Sequence, residues 1–300
     1  MSLPDQQPHG KTALSIELAK KINGEIISAD SMQIYKHMDI GSAKPTKEEM
    51  QGIKHYMLDI VEPNQRYSVA EYKKQAIKAI QEILEKGKVP IIVGGTGLYI
   101  NSLVNGIDYL DTGIDEEYRK KLEKRAETEG LERLYQEAEK IDKKAMEKIS
   151  KSDKKRILRV LEIYKQTGKT KTELDIESRK NGTEFDYQIY ITNLEREKLY
   201  EKINKRVDIM LEQGLIEEVK YILEKYESFP TAMQALGYKE TKEYLEGKIT
   251  KKEMTEKIKM ETRRYAKRQL TWFRKNENTT WLDMEKTQEE NIKIIIENYT

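Results

Sequence analysis

Apolar positions along the first hundred residues switch between two periods. In residues 11–22 (KTALSIELAKKI), Leu14, Leu18 and Ile22 recur every four positions, which predicts a helix. Residues 25–29 (EIISA) form a short β-rich run that ends at Asp30. A second helix is predicted over 69–86, with Ala76, Ile80, Ile83 and Leu84 on one side and Gly87 as its stop. Residues 88–93 (KVPIIV) read as a buried strand running into Gly94, Gly95, Thr96 and Gly97, and a further helix starts near Leu98. Strands alternating with helices predict a parallel α/β core flanked by helices. Ligands of such open sheets collect beyond the carboxyl ends of the strands, where both Asp30 and Thr96 fall.

From residue 115 to about 165 the pattern changes. Glycine is nearly absent, strand periodicity is lost, and 16 basic and 13 acidic residues are spaced as amphipathic helices. A strand is predicted again over 186–192 (DYQIYIT), followed by helical segments nearly to the end. Residues 109–113 and 168–182 read as hinges. The expected organisation is an α/β core from residues 1–111 and 179–300, interrupted by an all-helical insertion at 112–178.

Composition narrows the chemistry. The 300 residues are 37% hydrophobic and 36% charged, and 55 basic against 53 acidic residues leave a net charge of +2 that selects no partner. With no cysteine, disulfides, thiol nucleophiles, thiolate zinc sites and iron–sulfur clusters are excluded. Three scattered histidines (His9, His37, His55) argue against a histidine metal cluster. No apolar run approaches the roughly 20 residues that span a bilayer. The first ten residues do not resemble a signal peptide, so a soluble cytoplasmic protein is expected. Eighteen tyrosines against three phenylalanines suit boundary positions with wet hydroxyls.

Four segments could carry chemistry, each with a plainer reading beside it. Gly10, Lys11 and Thr12 open a helix as the end of a phosphate-binding P-loop does, where backbone N–H groups cradle phosphate and a hydroxyl can reach magnesium. The full motif wants glycine seven residues before the threonine, where Asp5 stands, and Pro8 removes a backbone donor; an ordinary helix start fits as well. Asp30 and Ser31 read either as a turn or as a carboxylate placed to take a proton. The 94–97 segment is either a tight turn or a close backbone approach to an anion, with Thr96 offering a hydroxyl. Residues 254–275 hold eight basic and two acidic side chains, with Lys259, Arg263 and Lys267 sharing a helical face. That is a solvated face or, with Tyr265 and Trp272 interleaved, a nucleic-acid surface.

These fragments assemble into a resemblance. IISADSMQIYKHMDIGSAKPT (26–46), HYMLDI (55–60), YSVAEY (67–72), PIIVGGTGLY (90–99), RILRVLEIYKQTGK (156–169), REKLYEKINKRVDIMLEQGLIEEV (196–219), ALGYKE (235–240) and KRQLTWFRK (267–275) together resemble bacterial tRNA dimethylallyltransferases. The resemblance covers nearly the whole chain from Gly10 in consistent order. It implies a P-loop-kinase-like parallel sheet with a helical insertion that grips the anticodon stem-loop. The implied reaction moves a dimethylallyl group from dimethylallyl diphosphate to the exocyclic amine of the adenosine 3′ of the anticodon, in tRNAs reading codons that begin with U.

By the same resemblance Asp30 is the general base, while Thr96 and Arg206 hold the donor diphosphate together with Gly10, Lys11 and Thr12. Thr12 would also ligate Mg²⁺. The implied tRNA contacts are Asp30, Ser31, Met32 and Gln33; Thr96; Arg119; and Lys155, Arg156, Ile157, Leu158 and Arg159. Two further segments join them: 233–239, with Gly237, Tyr238 and Lys239, and 267–274, with Lys267, Arg268, Gln269, Trp272 and Arg274. A monomer is implied. Family members lead into this loop with an apolar strand, so residues 1–9 read as a truncated or altered lead-in, and weakened diphosphate binding is expected. Three other readings stay open at this level: an adenine-nucleotide prenyltransferase without an RNA grip, an ATP-consuming P-loop kinase, and an RNA-binding relative with impaired catalysis.

Overall fold

The computed structural model describes residues 10–109, 115–179, 182–274 and 279–299. Two compact units divide the chain: residues 1–100 with 187–300, and residues 101–186. Where the sequence pattern suggests an insertion over 112–178, the second unit extends further on both sides, and its first boundary falls inside a helix. The expected lead-in at 1–9 and most of the 109–113 hinge lie outside the described residues.

The first unit begins with α1 (Lys11–Lys21) and β1 (Gly24–Ala29), then α2 (Lys47–Met50) and β2 (His55–Tyr56). α3 (Val69–Glu85), β3 (Val89–Gly94) and α4 (Gly97–Val104) follow. The strands form a wholly parallel sheet in the order β2-β1-β3. The β1–β3 register runs from Gly24 opposite Val89 to Ala29 opposite Gly94, so the two strands end level. All six β1 residues are buried, as a central parallel strand covered on both faces must be. α1 lays Ile16 and Ala19 against Ile26, Ile91 and Val93. α3 starts with a capping box between Ser68 and Glu71 and buries Tyr72, Ala76, Ala79, Ile80 and Ile83, whereas Leu84 of the expected apolar side is exposed.

After the second unit the chain returns through β4 (Ile189–Asn193), α10 (Arg196–Glu212), α11 (Leu215–Lys225), a 3₁₀ turn (Ala232–Gln234), α12 (Tyr238–Leu245) and α13 (Lys251–Phe273). The end is β5 (Thr279–Asp283) and α14 (Gln288–Tyr299). β5 corrects the helical reading of this region: TTWLD is a strand because it pairs in parallel with β4 over five residues. Leu282 of β5 packs with Leu14 and Leu18 of α1 and with Ile292 and Ile295 of α14. A larger core joins Ile34, Tyr35 and Met38 to the helices α10–α13 through Val207, Leu215, Val219, Tyr238, Met254 and Ile258.

The second unit holds α5 (Glu116–Thr128), α6 (Leu131–Ile141), α7 (Lys143–Met146), α8 (Lys154–Thr167) and α9 (Lys171–Arg179). Leu122, Leu134, Ala138, Met146, Ile157 and Leu161 form its core. Asp115 and Asp153 cap α5 and α8, and Asp142 caps α7 while also binding Thr172 on α9. The segment 168–182, expected as a hinge, is therefore mostly α9: Gly168 turns the chain at φ 70° and the Asp142 bonds dock the next helix.

The tightest constraint is at the carboxyl ends of β1 and β3. A Cβ on Gly94 would lie 2.2 Å from the Ala29 carbonyl oxygen, which real contacts do not allow. Gly94→Ala should therefore destabilise the first unit by about 1–3 kcal/mol through overpacking against backbone, read as a lower denaturant midpoint; an unchanged midpoint would contradict this packing.

Candidate active site

Because β1 and β3 end level, the residues that follow them face each other. The Thr96 N–H donates to the Ala29 carbonyl at 3.1 Å. The Thr96 hydroxyl accepts from the Ser31 N–H at 2.9 Å and donates to Ser31 Oγ at 3.2 Å. Asp30 turns the chain after β1 in an Asx-type arrangement, its Oδ1 accepting from the N–H groups of Met32 at 2.8 Å and Gln33 at 3.4 Å. Both bonds fall on one oxygen, so among the described residues Oδ2 accepts none. Gln33 is fixed in turn by Ser28 Oγ at 2.9 Å and by the carbonyls of Ser42 and Ala43.

α1 starts nearby without a side-chain cap: Gly10 is extended at φ −131°, and its carbonyl accepts from the Leu14 N–H. Its first N–H groups and dipole end form an anion-binding arrangement. Lys11 is an exposed residue, yet protein crowds its ammonium. Desolvation lowers its pKa, the Asp30 carboxylate opposes that shift, and Arg206 on α10 adds to it. Desolvation also lowers the pKa of Arg206, against the pull of Asp30 and Glu49. Lys11, Asp30 and Arg206 thus form one electrostatic cluster in which Asp30 acts on both cations and Glu49 on Arg206 as well.

α13 covers the turn after β3. Gln269 donates to the Gly95 carbonyl at 2.6 Å, and Trp272 sits where a Cβ on Gly97 would meet it at 2.9 Å. Tyr265 belongs to the same face, four residues before Gln269 and seven before Trp272. Its pKa is raised by burial and by the Asp30 charge, while contacts with Gln269 and Thr96 act in the opposite direction. Charge pattern alone marks Tyr265 only as an interleaved aromatic; the 265–269–272 spacing puts it on the face of Gln269 and Trp272.

Other expected site residues distribute differently. Ile157 and Leu158 are buried in the second unit's core, so their side chains hold helices together rather than meet a partner. Tyr238 and Met233 are buried in the first unit, with the Tyr238 hydroxyl donating to Glu218. The Gly237 N–H is taken by Glu240, which leaves Lys239 as the exposed residue of that trio. On α13 the charge excess is partly spent: Lys257 pairs with Glu243, Lys259 with Asp208 and Arg264 with Glu261, and Arg263 donates to Asn204. Lys259 and Arg263 therefore face α10, and among the described residues Lys267, Arg268 and Arg274 make no ion pair. Arg119 and Arg159 both bind Glu162 in the second unit, and Lys155 and Arg156 are exposed there.

Among the described residues no group of three or more histidine, aspartate or glutamate side chains could hold a metal. The Thr12 hydroxyl at the start of α1 suits an ion such as Mg²⁺, which keeps waters and takes further oxygens from phosphate. No helix among the described residues is long and apolar enough to cross a membrane.

The chain is similar to known proteins over most of its length. The IPP transferase family profile matches residues 33–276. The tRNA dimethylallyltransferase of Acetivibrio thermocellus is 53% identical over 275 residues, covering 91% of this chain and 88% of that protein. The tRNA dimethylallyltransferase of Caldanaerobacter subterraneus subsp. tengcongensis is 52% identical over 286 residues, 94% of this chain and 91% of that protein. Among solved structures, the tRNA delta(2)-isopentenylpyrophosphate transferase of Staphylococcus epidermidis superposes with a TM-score of 0.70 at 42% identity, covering 98% of this chain and 96% of its own. A eukaryotic dimethylallyltransferase acting on tRNA gives a TM-score of 0.77 at 32% identity, over 93% of this chain and 72% of its own.

The cluster makes a pH prediction. If Lys11 holds an anion at the α1 terminus it does so as the charged ammonium, whose pKa is lowered from the ordinary 10.5. Inorganic pyrophosphate should therefore bind more weakly as pH rises, beginning below that value, and Lys11→Met should remove this part of the dependence. Calorimetric titrations of both proteins across the same pH series check it; parallel curves would exclude Lys11 from the anion site.

Proposed function

The chain belongs to the IPP transferase family, and from that premise we propose how its own residues carry out prenyl transfer to tRNA. The enzyme is a transferase that modifies tRNA. In the reading advanced here the donor is dimethylallyl diphosphate and the acceptor is the exocyclic amine of the adenosine 3′ of the anticodon. A paired base cannot reach a site at the ends of β1 and β3, whereas an unstacked loop adenosine can be flipped into it.

One observation carries the reading: Asp30 accepts two N–H bonds through Oδ1 and, among the described residues, none through Oδ2, beside the two cations Lys11 and Arg206. The adenine amine nitrogen attacks the first carbon of the allyl chain, the bond from that carbon to the bridging oxygen breaks, and diphosphate leaves with the electron pair. Oδ2 of Asp30 accepts the amine proton, which is general-base catalysis by a positioned carboxylate. Negative charge grows on the leaving group as the allylic carbon becomes cation-like. The N-terminal N–H groups of α1, Lys11 and Arg206 stabilise that charge, an electrostatic role set before the reaction begins. Thr96 is bonded to Ser31 and so steadies the Asp30–Ser31 turn; rotation of its O–H would direct it to a phosphate oxygen. Mg²⁺, held by Thr12 and by oxygens of the diphosphate, would add neutralising charge to the leaving group. The exposed Lys239, Lys267, Arg268 and Arg274, with the basic residues of the second unit, supply phosphate contacts for RNA. The enzyme is taken to act as a cytoplasmic monomer.

Mass spectrometry of an unmodified anticodon stem-loop, incubated with enzyme, magnesium and dimethylallyl diphosphate, should show one added dimethylallyl unit on the loop adenosine. Free AMP in place of the stem-loop should gain none; prenylation of AMP with indifference to RNA would favour a nucleotide prenyltransferase. Asp30→Asn should reduce turnover roughly 10²–10⁴-fold while stem-loop affinity persists, and an Asp30→Asn enzyme of full turnover would end the general-base assignment.

A further inference from the structure

We propose that Glu162 is a positioning residue for RNA binding, fixing the guanidinium groups of Arg119 and Arg159 as a preset phosphate-binding pair on the second unit. The inference rests on the tRNA reading above and deepens it. Glu162 lies on α8 with a side chain that is 0% exposed. Arg119 reaches it from α5 with two parallel bonds, Nε to Oε1 at 2.7 Å and Nη2 to Oε2 at 3.1 Å. Arg159, nearly one turn earlier on α8, donates from Nη1 to Oε2 at 3.3 Å.

A buried carboxylate needs a partner, but one arginine would neutralise it. Here two converge, and the trio keeps a charge of +1. Both guanidiniums remain partly open to solvent, with side-chain exposures of 26% and 32%. The Arg119 fork spends Nε and Nη2 on Glu162, and its two Nη1 N–H groups are not used in that bond. A free arginine loses rotamer freedom when it clamps a phosphate; one already held by a buried carboxylate has lost it during folding. Lys155 lies four residues before Arg159 on the same side of α8, and it is exposed. Cationic groups are thus lined along α8 and joined by Arg119 from α5, a spacing suited to successive phosphates rather than to a single small anion.

The sign of one substitution separates positioning from charge. Glu162→Gln removes a negative charge from a surface that would meet a polyanion, so charge alone predicts tighter RNA binding. Positioning predicts the reverse: a rise in stem-loop KM of roughly three- to tenfold, the scale of losing well-oriented arginine–phosphate bonds, with kcat unchanged. Arg119→Lys covers the case in which Glu162→Gln unfolds the unit, since it keeps the charge and removes the fork. It should raise KM by a similar factor, with unfolding temperature and donor KM held. Fluorescence anisotropy of a labelled stem-loop gives the affinities directly. Tighter or equal binding by a folded Glu162→Gln protein, or full affinity in Arg119→Lys, would overturn the proposal. If neither Arg119→Ala nor Arg159→Ala affects affinity while the wild-type enzyme prenylates the stem-loop, this face does not bind RNA and the tRNA reading survives without it. A wild-type enzyme that leaves the stem-loop unmodified would instead remove the reading on which the inference rests.

Discussion

The site depends on how closely β1 and β3 approach at their carboxyl ends. Gly94 lies against the Ala29 backbone with no room for a Cβ, and the bond from the Thr96 N–H to the Ala29 carbonyl fixes the turn that follows. Once that gap is set, Thr96 can reach Ser31 with its hydroxyl, and the Asp30 carboxylate is held through Oδ1 by the N–H groups that follow it. α13 is bound by the same constraint, because Gln269 bonds the Gly95 carbonyl and the Trp272 ring packs on Gly97, where a Cβ would crowd the indole. A shift of β3 relative to β1 would therefore disturb the Asp30 carboxylate, its support and the helix packed on the β3 turn together.

The segment after Asp30 needs its own scaffold, since His37 and Ala43 adopt positive φ at 64° and 48°, unfavourable for residues with side chains. Two ionic groups offset that cost. The Glu218 carboxylate on α11 accepts the N–H groups of Asp39, Ile40 and Gly41 and the Tyr238 hydroxyl. The Lys44 ammonium, nearly buried, binds the Tyr35 carbonyl with Asp39 and Asp59. Much of the recognisable DSMQIYKHMDIGSAKPT block is thus engaged in holding its own loop in place. The sharing of one carboxylate among several donors recurs in the second unit, where the buried Glu162 binds two arginines.

Charge read from sequence overstates what is available to a partner. The basic run of α13 is partly consumed by Asp208, Glu243, Glu261 and Asn204, three of them on other helices. What remains is concentrated toward its C-terminal end, at Lys267, Arg268 and Arg274, on the same helix as the residues that cover the β3 turn. One helix thus carries both the residues that pack on the β3 turn and the exposed basic residues.

The sequence by itself determined the elements whose signal is local. α1, β1, α3 and β3 follow from four-residue and β-rich patterns, with glycine closing α3 and β3, and parallel α/β order then puts Asp30 and Thr96 at neighbouring strand ends. The amphipathic stretch of the second unit was legible for the same reason. Tertiary structure decided what no local period contains. β5 is five residues of ambiguous pattern that become a strand only by pairing with β4, about ninety residues away in the chain. Ile157, Leu158 and Tyr238 sit within segments that resemble RNA contacts, yet packing turned them inward, because burying their apolar area outweighs any surface role. Tyr265 and Gln269 meet the Thr96 turn, and Arg119 meets Glu162, across separations at which sequence spacing carries no geometric information. There, close packing and the cost of an unpaired buried charge select the partner.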